Sequence, residues 1–186
     1  GLELVEELEP RLAGHDRDLA LLWTARGHLL LGASRYADAL NAYDTAARVH
    51  ESTGDARLLA EVDLRRATAL TRLGRFREAE PVFRAVKAWF RGEGATPAAG
   101  SGSGAASSSP TVMAAVAASN LGVLSYYLGR YGDALSEYEE ARDGFSRAGS
   151  EAQRAMVCDN IAETYLELNL LAESRALAEE AAAIFE

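Results

Sequence analysis

One phrase occurs twice in this chain. Leu73 to Val86 reads LGRFREAEPVFRAV, and Leu128 to Ala141 reads LGRYGDALSEYEEA. Both run Leu-Gly-Arg-aromatic, with Ala three residues after the aromatic, a second aromatic four after that, and a small apolar residue three further on. Such recurrence commits a chain to copies of one supersecondary unit, because one unit cannot bury its own apolar face. The same signal extends to both sides. Ala39, Ala79, Ala134 and Ser174 follow Tyr36, Phe76, Tyr131 and Leu171 by three, and stand 40, 55 and 40 positions apart. A second small series, Gly27, Ala67, Gly122 and Ala162, precedes each of them by twelve. A third comprises Tyr43 and Ala46, Phe83 and Val86, Tyr138 and Ala141, and Ala178 and Ala181.

These spacings predict units of two helices joined by a tight turn. Gly74 and Gly129 fall where a first helix must stop, and Gly takes the left-handed C-terminal conformation without strain. Asn169 holds that place in the fourth unit and Ser34, less suited, in the first. Paired small residues such as Gly122 and Ala134 are expected to let antiparallel helices approach, with Tyr131 and Tyr138 filling the gap to the next unit. Apolar residues recur at three and four, as in Leu121, Leu124, Leu128 and in Ile161, Tyr165, Leu168, and no alternating run argues for strands. The predicted class is all-α.

The set Trp23, Gly27, Tyr36, Ala39, Tyr43, Ala46, with Leu121, Gly122, Tyr131, Ala134, Tyr138, Ala141, resembles the tetratricopeptide repeat family over residues 18–91 and 111–186. The resemblance implies a right-handed α-solenoid of about four stacked antiparallel helix pairs. The period departs from the usual 34 residues. The 40-residue variety is similar to that of bacterial signalling and regulatory proteins, including regulators with nucleotide-switch modules and proteins with caspase-like domains, and of kinesin light chains. The proline that usually closes a unit is absent, and Pro81 instead falls inside a second helix, which it is expected to bend or delay.

The organisation follows from these periods. Residues 1–13, with a Leu2, Val5, Leu8 and Leu12 stripe, read as the second helix of a truncated preceding repeat. Residues 14–91 carry repeats one and two, and residues 111–186 carry three and four. Residues 92–110, GEGATPAAGSGSGAASSSP, have no large apolar side chain and read as a flexible linker. A random coil of that length spans roughly 24 Å, enough to leave one continuous solenoid, with two tethered parts as the alternative. Neither end carries a clear polar cap, which reads as an excerpt of a longer protein.

Charge is unevenly placed. Residues 1–91 carry 14 Arg or Lys against 14 Asp or Glu, and residues 111–186 carry 5 against 13. The acidic half argues against nucleic acid as a partner. No stretch approaches the roughly 20 unbroken apolar residues of a membrane span. The single cysteine, Cys158, fits a reducing, cytoplasmic setting. No catalytic constellation is found: His15, His28 and His50 have no ligand spacing, Cys158 reads as a buried structural thiol, and no cofactor or metal is expected. Glu137, Glu139, Glu140, Glu179 and Glu180 read as a solvated helix face.

A stacked array presents its first helices on one wall. Helical spacing places there Ala25, His28 and Gly32; Arg65, Thr68 and Arg72; Asn120, Val123 and Tyr127; and Asn160, Glu163 and Glu167. In the resembled family the Asn equivalent to Asn120 and Asn160 contacts the backbone of an extended peptide, since an amide both donates and accepts. Arg65, at the matching place, suits a carboxylate held by a forked pair of hydrogen bonds. The family's full carboxylate clamp is not reproduced. The expected function is therefore a non-catalytic module that binds a protein partner's peptide or helix in a concave groove. The alternative is a regulatory or sensor segment acting on an adjoining effector domain, protease-like or transcription-regulating, of a larger signalling protein.

Overall fold

A computed structural model describes residues 1–12, 14–92 and 109–183. Ala13, residues 93–108 of the expected linker and residues 184–186 lie outside the described residues. The helices are α1 (Leu2–Leu8), followed by a 3-10 turn (Glu9–Leu12), α2 (Asp16–Gly32), α3 (Tyr36–Thr53), α4 (Ala56–Arg72), α5 (Phe76–Arg91), α6 (Pro110–Tyr127), α7 (Tyr131–Arg147), α8 (Glu151–Glu167) and α9 (Leu171–Ala183). No strand occurs among the described residues. Two compact units divide within α5: Gly1–Val82 and Phe83–Glu186. Each is built of antiparallel helix pairs stacked in the manner of an α-solenoid. In the first, α2 packs on α3 and α3 on α4; in the second, α6 packs on α7, α7 on α8 and α8 on α9.

The turns have one mechanism. The residue after each first helix sits in the left-handed region, with φ of 58° at Ser34, 73° at Gly74, 69° at Gly129 and 59° at Asn169. That geometry lets the next N–H reach back five residues: Arg35 donates to the Leu30 carbonyl, Arg75 to Leu70, Arg130 to Ser125 and Leu170 to Tyr165, all within 2.8–2.9 Å. The carbonyls at each helix end are thereby satisfied. Gly54 and Gly149 do the same after second helices, at φ of 70° and 66°. The arginine of the repeated phrase then serves the next helix, pairing with the acid three residues on: Arg35 with Asp38 at 2.7 Å and Arg75 with Glu78 at 2.6 Å.

The small series is buried throughout. Gly27, Ala67, Gly122, Ala162, Ala39, Ala79, Ala134 and Ser174 all lie inside. Their role differs from simple helix approach. A Cβ on Gly27 would stand 2.4 Å from the Tyr43 ring, and one on Gly122 would stand 2.5 Å from Tyr138. Each ring therefore fills the space of a missing side chain within its own hairpin, and Tyr138 also belongs to the buried cluster that includes Ile161 and Ala162 of α8. Tyr131 likewise stacks inside its own hairpin, 5.6 Å from Tyr126 between centroids. Ala178 is the exception in the third series: it faces solvent, and Leu177 is buried in its stead.

Pro81 does not delay α5. The helix starts at Phe76, in phase with Tyr36, Tyr131 and Leu171, and carries Pro81 as its sixth residue. Proline there leaves the Arg77 carbonyl without its usual amide donor. After the undescribed stretch, Ser109 caps α6, its Oγ accepting from Val112 N at 3.2 Å, with Pro110 in the first helical position.

Glu137, Glu139 and Glu140 are not a free solvated face. Lys87, on the last turns of α5, donates to Glu137 at 2.6 Å and to Glu140 at 3.3 Å, with its side chain 14 % exposed. Arg91 also pairs with Glu140, and Glu139 takes Arg142 at 2.7 Å. Glu180 takes Arg154 at 2.6 Å, and the more exposed Glu179 takes Arg175 at 3.5 Å. The residues just before the 93–108 stretch are thus bound to the helix pair after it by charge as well as by apolar burial.

Two outcomes check this account in urea denaturation. Ser34→Gly is expected to stabilise, and Gly74→Ala or Gly129→Ala to destabilise, each by about 1 kcal/mol, the cost of left-handed backbone for a residue with a Cβ. Lys87→Ala, which leaves two half-buried carboxylates less compensated, is expected to cost about 2 kcal/mol, whereas Lys87→Met stays within about 1 kcal/mol of the parent.

Candidate functional site

In the first unit, Arg65, Thr68 and Arg72 occupy positions i, i+3 and i+7 of α4 and share one face. They line a cleft of about 550 Å³ together with His28, Leu31 and Gly32 of α2 and Tyr36 at the start of α3. Of the residues expected on this wall, Ala25 is exposed but is not among those lining the cleft. Leu31 and Tyr36 were not expected; both lie next to the hairpin turn, where the in-helix spacing used to choose wall residues no longer applies. Arg65 and Arg72 are exposed and have no acidic partner among the described residues. Their neighbours Arg57, Arg66 and Arg75 are paired with Glu61, Asp44 and Glu78. Thr68 donates its hydroxyl to the Leu64 carbonyl at 2.9 Å, leaving lone pairs rather than a proton for a ligand.

Tyr43 is fully buried, with its ring edge against His28 at 5.8 Å between centroids and its hydroxyl without a hydrogen-bond partner. Burial pushes its phenol up to about 12, against an opposing pull from Arg65. His28 reaches solvent, but desolvation of its ring, and secondarily the Arg65 guanidinium, hold its pKa below the ordinary 6.5. The cleft therefore gathers two guanidiniums that no acid among the described residues pairs with.

In the second unit, α6 and α8 lie side by side. Asn120 is half-buried and spends one amide hydrogen on the Val116 carbonyl at 3.0 Å. Asn160, also half-buried, makes no side-chain hydrogen bond among the described residues. Val123 packs against the apolar core, and Tyr127 is 56 % exposed. Glu163 and Glu167, one turn apart on α8, both accept from the Tyr126 hydroxyl, at 3.3 and 3.4 Å. Neither has a cationic partner among the described residues. Tyr126 was missed because heptad-like spacing from Asn120 selects its neighbour Tyr127. Its ring packs 6.0 Å from Tyr127 and 5.6 Å from Tyr131, forming a tyrosine cluster beside two carboxylates. Burial, then Glu163 and Glu167, raise the Tyr126 phenol to about 12. Such a surface suits a cationic group, through carboxylate charge and ring faces together.

Other chemistry is thinly represented. Cys158 is fully buried, and burial pushes its thiol up, so it is a packing residue. His50 is buried with neither ring nitrogen hydrogen-bonded. Among the described residues no group of His, Cys, Asp or Glu could hold a metal, and no helix is long and apolar enough to cross a membrane.

Comparison with known proteins bears on the second unit first. The tetratricopeptide repeat family model matches residues 114–145 and 154–186. Those two stretches are tetratricopeptide repeats. Their starts are 40 residues apart, the period of the small-residue series. The repeat fold of the whole chain is similar to that of aspartyl phosphate phosphatase F from Bacillus subtilis, with a TM-score of 0.83 at 11 % identity, over 98 % of this chain and 45 % of that one. It is similar also to a signal transduction ATPase with numerous domains from Pyrococcus horikoshii, described as having a tetratricopeptide repeat sensor, with a TM-score of 0.76 at 15 % identity over 99 % of this chain and 26 % of that one. BtubC from P. vanneervenii gives 0.71 at 19 % identity over 89 % and 63 %. At these identities the likeness is one of fold, and the chain spans less than two thirds of each of these proteins. No curated protein matches it in sequence.

The second-unit geometry has a spectroscopic consequence. In an alkaline titration read by phenolate absorbance, with Tyr126→Phe subtracted, Tyr126 is expected to ionise near pH 12. Replacing Glu163 and Glu167 with Gln removes the charges that oppose a phenolate, so the transition is expected to move toward the ordinary 10.0. An unmoved transition means the hydroxyl does not face those carboxylates.

Proposed function

We propose that this chain is a non-catalytic protein-interaction module whose first-helix faces hold a peptide or helix from a partner protein. The observation that carries the reading is the pair of unneutralised faces. Among the described residues Arg65 and Arg72 have no acid, and Glu163 and Glu167 have no cation, although most charges around them are paired. Side chains that neither support the core nor compensate one another are what a partner's charges can engage. Asn120 and Asn160 stand beside the second face with amide groups able to meet a peptide backbone. A cytoplasmic setting accords with the single buried thiol.

A second reading is favoured by length. The chain spans 26 % of a signalling ATPase that carries a repeat sensor. On that reading the same faces dock an adjoining effector domain, protease-like or transcription-regulating, of the same polypeptide.

One selection experiment tests both. Peptides enriched from a random displayed library on the intact chain are expected to lose about tenfold in affinity for the Asn120→Ala/Asn160→Ala variant, about 1.4 kcal/mol, with helicity unchanged. Peptides that bind this variant and Arg65→Gln/Arg72→Gln as tightly as the parent overturn the module reading. Failure to enrich any peptide, with measurable docking of the chain onto a domain encoded beside it, favours the second reading.

A further inference from the structure

We propose that the first-unit cleft between α2 and α4 is an oxyanion-binding site that fills more readily when His28 carries a proton. Its ligand is a phosphate or carboxylate group. The presence of that group on a partner segment rests on the proposed function, whereas the site itself does not.

Three observations converge. The cleft is large enough, at about 550 Å³, for an oxyanion and the chain that bears it. Arg65 and Arg72 line it two turns apart, about 10.5 Å along the α4 axis, and neither meets an acid among the described residues. Two guanidiniums reaching inward from those positions can fork onto one anion from both ends. Behind His28, the Tyr43 ring abuts the imidazole at 5.8 Å between centroids, and the buried Tyr43 hydroxyl finds no partner among the described residues.

The proton coupling follows from what faces His28. Tyr43 of α3 lies against the ring, Arg65 and Arg72 of α4 share the cleft with it, and Tyr36 closes the turn side. None of the described residues lining the cleft is a carboxylate. Without a ligand, imidazolium is opposed by desolvation and by Arg65, so His28 is held neutral below its ordinary value. An anion between His28 and the arginines reverses the sign of the nearest charge and favours the protonated ring. By reciprocity the proton then favours the anion. Affinity rises as pH falls through the His28 transition. Each pKa unit by which the anion raises His28 tightens binding about tenfold at low pH.

The test uses the whole chain with sulfate and acetate as probes, since both keep their charge from about pH 6 to 8, the window in which a histidine titrates. Sodium chloride holds ionic strength constant. The His28 ring signal is read by proton NMR, assigned by its loss in His28→Gln. Addition of the probe is expected to move the His28 titration upward. Binding is expected to be tighter at pH 6 than at pH 8, approaching about threefold for each half unit by which the anion raises His28 as the pH falls below its transition. Arg65→Gln/Arg72→Gln is expected to abolish both effects, while His28→Gln retains pH-independent binding. Sulfate binding alone assigns a phosphate-type ligand; binding of acetate as well assigns a carboxylate. A His28 titration unmoved by either probe, or moved equally in the double arginine variant, overturns the site. If peptides selected on the first-helix faces still bind in that case, the proposed function stands without it. If the probes bind and no peptide does, the anion site stands and the partner reading falls.

Discussion

The seating of a tyrosine ring on a residue without a side chain is the contact on which each well-formed hairpin depends. Tyr43 occupies the space above Gly27, and Tyr138 the space above Gly122. A ring lodged this way forbids sliding between the paired helices, because any shift of register drives it into the next residue's Cβ. The register in turn decides what faces outward. With Gly27 under Tyr43, the next residue on α2, His28, is held beside the ring and at the mouth of the cleft. The cleft of the first unit is thus a consequence of core packing as much as of the residues that line it.

The turns complete the constraint. A left-handed residue after each first helix turns the chain within two positions while closing a carbonyl that would otherwise lie unsatisfied. The chain reuses this device after its second helices, at Gly54 and Gly149, so hairpins and the joints between them are built alike. The shared turn geometry tolerates Ser34 and Asn169 because the hydrogen bonds are made by backbone, and the Cβ strain is what differs from glycine.

Much of this was legible in the sequence because it depends on periodicity. Eight small positions predicted from two phrases are all buried, and the four turn residues, the less suited Ser34 included, adopt the left-handed conformation. What spacing could not convey was direction. The small positions read as sites of helix contact, whereas two of them, Gly27 and Gly122, are sockets for rings, a distinction that needs the rotamer. Tyr126 and Tyr127 are equal candidates in sequence, and only the placement of Glu163 and Glu167 across the interface separates them. The acidic run on α7 was misread for the same reason: Lys87, fifty residues upstream, is invisible to any local window. Of the wall residues, Arg65, Thr68 and Arg72 come together around a cavity, and a helix's own periodicity was enough to group them.

Lys87 is the only lysine in the sequence, and its amine is held between two glutamates in a largely enclosed position. Reagents and enzymes that act on side-chain amines, whether acylating, cross-linking or conjugating, therefore meet a single target, and one already engaged in joining α5 to α7. Reaction there would erase a structural charge instead of decorating a surface. Coupling through the lysine side chain is accordingly a route that disturbs the packing of α5 on α7.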